Sequence, residues 1–209
     1  MATHGDLPGI TADQALQRLV EGNRRFLEGG ARPPVLHGDL LGDLARGQRP
    51  YATILGCSDS RVPPEWIFDA GMGELFVVRV AGNVLSPEVA GSIQYAGAHL
   101  RTPLFVVLGH EGCGAVQAAL ETRDGDVLHR SRIQILVNSL LPALPEFDPT
   151  LSREERLSRA VESNVRWTLN QILDSPEGRA RRAEGRVRLV GAIYELATGR
   201  VRFLPEARP

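Results

Sequence analysis

The sequence predicts an α/β fold: a mostly parallel central sheet with an antiparallel edge strand, helices on both faces, and an N-terminal helical arm. Three observations predict it. Short runs dense in Val, Leu and Ile recur at residues 51–56, 74–80, 103–109 and 186–194, without the polar alternation of a half-solvated strand, as expected of strands buried on both faces. Segments with helical spacing of apolar residues separate them, as the crossovers between parallel strands require. After the last run, Ala197-Thr198-Gly199 makes a turn and residues 200–204 return as a hairpin strand, which adds the antiparallel edge.

Each element has a local cause. Thr11-Ala12-Asp13-Gln14 matches a capping box and opens a helix that places Leu16, Leu19, Val20, Asn23, Phe26 and Leu27 largely on one face; Gly29 and Gly30 stop it. Residues 31–34 read as a linker and 37–45 as a short helix ending at Gly47. The chain thus reads as one domain, with a helical arm over 1–47 and an α/β core over 48–209. The arm could pack on a partner subunit or on its own domain. Pro63-Pro64-Glu65 starts a helix, since proline suits a first turn. Gly82 and Asn83 form a turn, residues 87–99 a helix and 114–122 another. Ser152-Arg153-Glu154-Glu155 is a second capping box, opening a long helix that buries Leu157, Val161, Asn164, Val165, Thr168 and Ile172. Residues 125–149 carry no readable period. The basic stretch 179–188 reads as a solvated loop.

Composition narrows the function. Lys plus Arg number 24 and Asp plus Glu 25, a formal net charge of -1, which gives no argument for a nucleic acid or a membrane surface. The first residues, MATHGDLPGI, lack the basic-then-apolar pattern of a secretory signal. No apolar run approaches the ~18 residues of a membrane span. A cytoplasmic location with reduced thiols is therefore expected.

The chain has 2 cysteines. Cys57 opens Cys57-Ser58-Asp59-Ser60-Arg61, and Cys113 closes His110-Glu111-Gly112-Cys113. Both segments follow a predicted strand, so both lie where open α/β sheets place their sites. Cys57, His110 and Cys113 together are good zinc ligands, and three protein ligands leave the open position that catalysis requires. On a turn entering a helix, His110 and Cys113 share one side. Gly109, Gly112 and Gly114 would let the backbone wrap closely around an ion. The alternatives are a Cys57–Cys113 disulfide and a core histidine satisfied by backbone. Asp59 and Arg61 alternate with Cys57 on one face of an extended segment. The arginine can bind the carboxylate bidentately and keep it ionised. The pair is either a structural ion pair or a catalytic dyad, in which Asp59 accepts a hydrogen bond from zinc-bound hydroxide and aims its lone pair at the substrate. If the pair broke, Asp59 could swing onto the fourth zinc position and shut the site. Two thiolates offset the charge of the ion, so its water should be less acidic than the pKa of ~7 at a three-histidine site. Activity should then rise toward alkaline pH.

At this point the residues resemble the β-class carbonic anhydrases. The resemblance rests on Cys57-Ser58-Asp59-Ser60-Arg61-Val62, Leu75-Phe76-Val77-Val78-Arg79 and Gly109-His110-Glu111-Gly112-Cys113-Gly114. The EGNRRF segment (21–26), Asn164-Val165-Arg166 and Val190-Gly191-Ala192 extend it over nearly the whole chain. It implies zinc-dependent, reversible hydration of carbon dioxide to bicarbonate and a proton, by attack of zinc-bound hydroxide. It implies Cys57, His110 and Cys113 as metal ligands, with Asp59 and Arg61 as the catalytic dyad. Gln48, nine residues before Cys57, matches a glutamine that can hydrogen-bond substrate in the plant-like subgroup, and argues against the bicarbonate inhibition of the allosteric subgroup. Phe76 and Tyr95 match aromatic positions of that subgroup's pocket, Tyr95 reaching it across a dimer interface. Gly114 would offer a backbone N–H near the zinc-bound ligand. The implied assembly is a homodimer or homotetramer whose N-terminal helices embrace the partner. Val80 departs from the family pattern, where many relatives carry asparagine, and implies a modest repacking. Val62, Val84 and Leu85 are possible pocket walls. His4, His37, His99 and His129 have no motif that marks a proton shuttle. Two rivals stand beside this reading: the same site hydrolysing carbon disulfide or carbonyl sulfide, and a zinc-stabilised binding or regulatory protein without catalysis. Asp59 and Arg61 argue against the second, because a structural site does not need them.

Overall fold

The computed structural model describes residues 9–31, 38–125, 127–185 and 187–205. Its sheet is the one expected. Strands β1 (Ala52–Gly56) and β3 (Leu104–His110) form the centre and are buried throughout. β2 (Leu75–Arg79) pairs with β1, and β4 (Arg188–Tyr194) with β3, all parallel; β5 (Val201–Phe203) pairs antiparallel with β4. The order is β2-β1-β3-β4-β5, and strand ends differ from the apolar runs by one or two residues. β2 lies on one side of β1 and β3 on the other. The topological switch point therefore falls between the C-terminal ends of β1 and β3, where such sheets open a crevice. The register pairs Gly56 with Leu108. Cys57 is thus level with Gly109, and His110 is one residue further on.

Helix α1 (Ala12–Leu27) carries both bonds of its predicted capping box, between Thr11 and Gln14. It seats on its own chain. Ala15 and Leu19 are fully buried, and buried Asn23 donates to the carbonyls of Ile67 and Gly199 and accepts from the Val201 N–H. Helix α2 (Gly38–Arg46) buries none of its residues; residues 32–37, with most of the predicted linker and His37, lie outside the described residues. Helix α3 (Pro64–Ile67) has proline in its first turn.

Three expectations need correction. Helix α4 (Pro87–Tyr95) does not run on as α-helix to His99: a π turn over Ala96–Leu100 follows, and Arg101, at φ 55°, ends it. After α5 (Gly114–Arg123), the unreadable region contains α6 (Arg132–Leu140), whose two buried residues, Val137 and Leu140, are too few to print a period. The basic stretch is not a loop. Ser175 caps α8 (Pro176–Ala183), which carries Arg179, Arg181 and Arg182. Its single buried residue is Gly178, so no apolar stripe signals the helix.

Helix α7 (Arg153–Asp174) matters most for the site. Ser152 and Glu155 form its capping box, and it buries Ala160, Val161, Asn164, Val165, Thr168 and Ile172; Leu157 is half-buried. It lies tight on β3 because Gly109 has no side chain: a Cβ there would stand 2.6 Å from Val165 Cγ2. Gly109 thus serves helix packing. Among the described residues no helix is long and apolar enough to cross a membrane.

Candidate metal centre

Three elements converge at the switch point. Cys57 follows the last residue of β1, His110 ends β3, and Cys113 is the N-cap of α5. All three are buried, and their ligand atoms lie within 4.8 Å of one another. Both cysteines are free thiols, which removes the disulfide alternative. His110 Nδ1 lies 2.8 Å from the carbonyl oxygen of Glu111. A carbonyl only accepts, so Nδ1 carries the proton and Nε2 is left with its lone pair. Nε2 is buried and has no hydrogen-bond partner, a costly arrangement unless a ligand meets it. The donor set fits a zinc ion, whose bonds of about 2.3 Å to sulfur and about 2.0 Å to nitrogen hold tetrahedral donors roughly 4 Å apart.

The two thiols also behave as a pair. A hydrogen bond from Cys113 holds Cys57 well below the usual thiol range against the cost of burial, and the N–H of Gly82 adds to the effect. The same bond, with burial, pushes Cys113 far up.

Asp59 and Arg61 form the bidentate pair expected. Arg61 Nε donates to Oδ1 at 2.9 Å and its Nη2 to Oδ2 at 2.7 Å, while the Arg61 backbone N–H donates to Oδ1 at 3.0 Å. These bonds hold the Asp59 carboxyl well below the usual carboxylate range. Its Oδ2 is 3.9 Å from His110 Nε2, so the carboxylate borders the ligand cluster.

Two supports were not legible in the sequence. Arg79 donates from Nε to the Cys57 carbonyl at 2.9 Å and from Nη2 to the Asp59 carbonyl at 2.5 Å. It sits at the last position of β2, paired with Gly56, and only that register reveals the clamp. The second support is the turn at Ala81–Asn83, expected as a turn but not as a partner of Cys57. Gly82 there has φ 66°, and a Cβ would stand 3.2 Å from Ala115 and Leu140. Its N–H donates to Cys57 Sγ at 3.4 Å.

The residues expected to bind substrate divide. Gly114 is the first residue of α5, directly after Cys113 and exposed; a helix start leaves such N–H groups without intrahelical partners. Gln48 is also exposed but lies on the segment entering β1, at the opposite end of that strand from Cys57. Phe76 pairs with Thr53, four residues short of Cys57, or about 13 Å along a strand. Tyr95 lies beside Phe76, ring centroids 6.2 Å apart, and is 48% exposed. A single chain does not bring these three to its own metal centre. Val62 and Val84 are buried and Leu85 half-buried; Val80, where the departure lies, is half-buried. His99 stacks on Tyr95 at 4.8 Å, a setting that no motif announced. His4 lies outside the described residues.

Comparison with known proteins gives a consistent result. A family model described as "Carbonic anhydrase" matches residues 52–201. Carbonic anhydrase 2 of Mycobacterium tuberculosis is 39% identical over 198 residues, covering 93% of this chain and 93% of that protein. The β-carbonic anhydrase CafA of Aspergillus fumigatus superposes with a TM-score of 0.74 at 29% identity, over 94% of this chain and 92% of that chain. A structure from a study of two tetrameric β-carbonic anhydrases of Sordaria macrospora gives 0.71 at 29% identity, over 78% and 85%.

Proposed function

This chain belongs to the β-class carbonic anhydrase family, and from that premise we propose that it hydrates carbon dioxide reversibly at a zinc ion held by Cys57, His110 and Cys113. The observation that carries the proposal is the buried, unpartnered Nε2 of His110, grouped with two free thiols within 4.8 Å. Zinc bound there would supply the acidification that turns water into a nucleophile. The chain supplies orientation. Asp59, kept ionised by Arg61, accepts the hydrogen bond of the attacking oxygen and turns its lone pair toward the carbon of the substrate. Arg79 holds the carbonyls of Cys57 and Asp59, so ligand and carboxylate move as one unit. The Gly114 N–H, beside Cys113 at the start of α5, would donate to the product oxygen. Closure of Asp59 onto the fourth metal position would require its three bonds from Arg61 to break.

Gln48, Phe76 and Tyr95 complete the pocket from a second copy of the chain in this reading. The half-buried edge strand β2 and exposed Tyr95 offer the surface, and the tetrameric relatives from Sordaria macrospora support a homodimer or homotetramer. Cysteines used as ligands suit the reducing cytoplasm.

Stopped-flow hydration of carbon dioxide by protein carrying one zinc per chain, at neutral and alkaline pH, tests the function. We expect hydration that rises with pH, because two thiolates leave the ion little net charge. Asp59→Asn should lower it by about 10²- to 10⁴-fold while zinc is retained. A rate flat below neutrality would remove the pH argument. Absence of hydration at either pH would redirect the site to carbon disulfide or carbonyl sulfide, or to a non-catalytic role.

A further inference from the structure

Helix α7 carries two polar residues, Asn164 and Thr168, on the side that faces the core. They are 2% and 1% exposed, one helical turn apart, and neither belongs to the metal centre. Burying an amide and a hydroxyl among Val161, Val165 and Ile172 is unfavourable unless each finds a partner. Both partners lie in one place. Asn164 Nδ2 donates to the Gly82 carbonyl at 2.9 Å, and Thr168 Oγ1 donates to the Asn83 carbonyl at 3.4 Å. The two accepting carbonyls belong to the turn whose N–H reaches Cys57 Sγ.

The turn needs such a grip. Gly82 and Asn83 both have positive φ, 66° and 45°. Asparagine tolerates that region better than most side chains, at some cost in energy. The backbone is thereby forced into a shape that points carbonyls at α7 and the Gly82 N–H at the sulfur. The Gly82 carbonyl shares its peptide plane with the Asn83 N–H, which donates to the Val80 carbonyl at 2.9 Å; a plane held at both groups restrains the φ and ψ of Gly82, and with them the direction of its own N–H.

We propose that Asn164 and Thr168 are positioning residues that act through the 81–83 turn to aim the Gly82 N–H at the Cys57 ligand sulfur. The inference rests on the zinc-centre reading above. An N–H donor on a metal thiolate withdraws electron density from the sulfur and fixes its direction. Partners behind the ligands commonly alter metal affinity by about 10- to 100-fold. Here the donor comes from backbone, and side chains more than 80 residues away in sequence hold it in place.

The test uses the full chain with Co2+ in place of zinc, reading the sulfur-to-cobalt charge-transfer absorption and the metal affinity by chelator competition. Asn164→Asp replaces the donor by an acceptor at nearly equal volume, and Thr168→Val removes only the hydroxyl. Asn164→Asp should move the absorption to longer wavelength and weaken binding about 10-fold or more. Thr168→Val should do the same to a lesser degree, with Thr168→Ser restoring wild-type behaviour. Ile172→Ala, on the same helix but away from the turn, should lower the melting temperature without moving the absorption. If Asn164→Asp fails to fold, the Thr168 pair decides. An absorption and affinity unchanged in Thr168→Val and in any folded Asn164→Asp would overturn the proposal, as would an equal shift in Ile172→Ala. A wild-type chain that binds Co2+ without thiolate absorption would instead overturn the metal-centre reading itself.

Discussion

The two ends of the parallel strands differ in how complete they are. At the C-terminal ends of β1 and β3, Cys57, His110 and Cys113 are buried and within ligand distance of one another, and Asp59 is already paired. Toward the other end, Gln48 on the segment entering β1, Phe76 on β2 and Tyr95 beside it stand far from that centre, with Gln48 and Tyr95 exposed. The first region is assembled by the fold of one chain, because strand register and a helix start set it. The second has the chemistry of a pocket wall without a pocket in its own chain. On the proposed function, the difference makes metal binding and substrate enclosure separable: one chain assembles the ligand cluster, and a second copy would supply the wall.

The separation breaks most visibly at the ligands. Cys113→Ala should abolish zinc retention and return hydration to the uncatalysed rate, since two ligands do not hold a catalytic ion. Zinc content and stopped-flow rates on the same sample check this. The variant should keep its oligomeric state by sedimentation, because the β2 edge is untouched. Loss of the oligomer along with the metal would show that the two regions are not independent.

The converse change sharpens the comparison. Phe76→Ala should retain zinc in full but lower kcat/KM roughly tenfold, the scale at which loss of one buried aromatic contact is felt. Co-expressing Phe76→Ala with Cys113→Ala tests where the wall comes from. A mixed dimer has one site with an intact metal centre and an intact wall from its partner. About half the dimers are mixed, so about a quarter of wild-type activity should return. Mixed dimers with no more activity than the Phe76→Ala enzyme would place the wall elsewhere.

The sequence was legible where chemistry or periodicity lies in adjacent residues. The ligand segments, both capping boxes, the four parallel strands and the hairpin could be read directly. So could the Asp59–Arg61 pair, because alternation along an extended segment puts both on one face. What was not legible depends on three-dimensional juxtaposition. Arg79 becomes a clamp only through the β1–β2 register, and Asn164 reaches Gly82 only because Gly109 lets α7 sit close to β3. α8 was missed for a different reason: a helix that buries one glycine leaves no apolar stripe. The distance of Gln48 and Phe76 from the metal centre was hidden too, since only Tyr95 was expected to act across a dimer interface.

The smallest expected effect concerns the rim of the first region, where Arg61 is exposed and Asp59 borders the ligand cluster. Arg61 lowers the Asp59 carboxyl below its ordinary 3.8. A group whose pKa falls on folding stabilises the fold at pH values above its unfolded pKa, and that contribution is lost as pH drops through the folded value. Arg61→Ala should therefore lower the melting temperature of metal-free protein by no more than a few degrees at pH 7, since exposed pairs are screened by solvent. The gap from wild type should narrow steadily below about pH 4. A gap of constant size from pH 7 to pH 3 would mean that Arg61 acts through packing, and that the ionisation of Asp59 owes nothing to it.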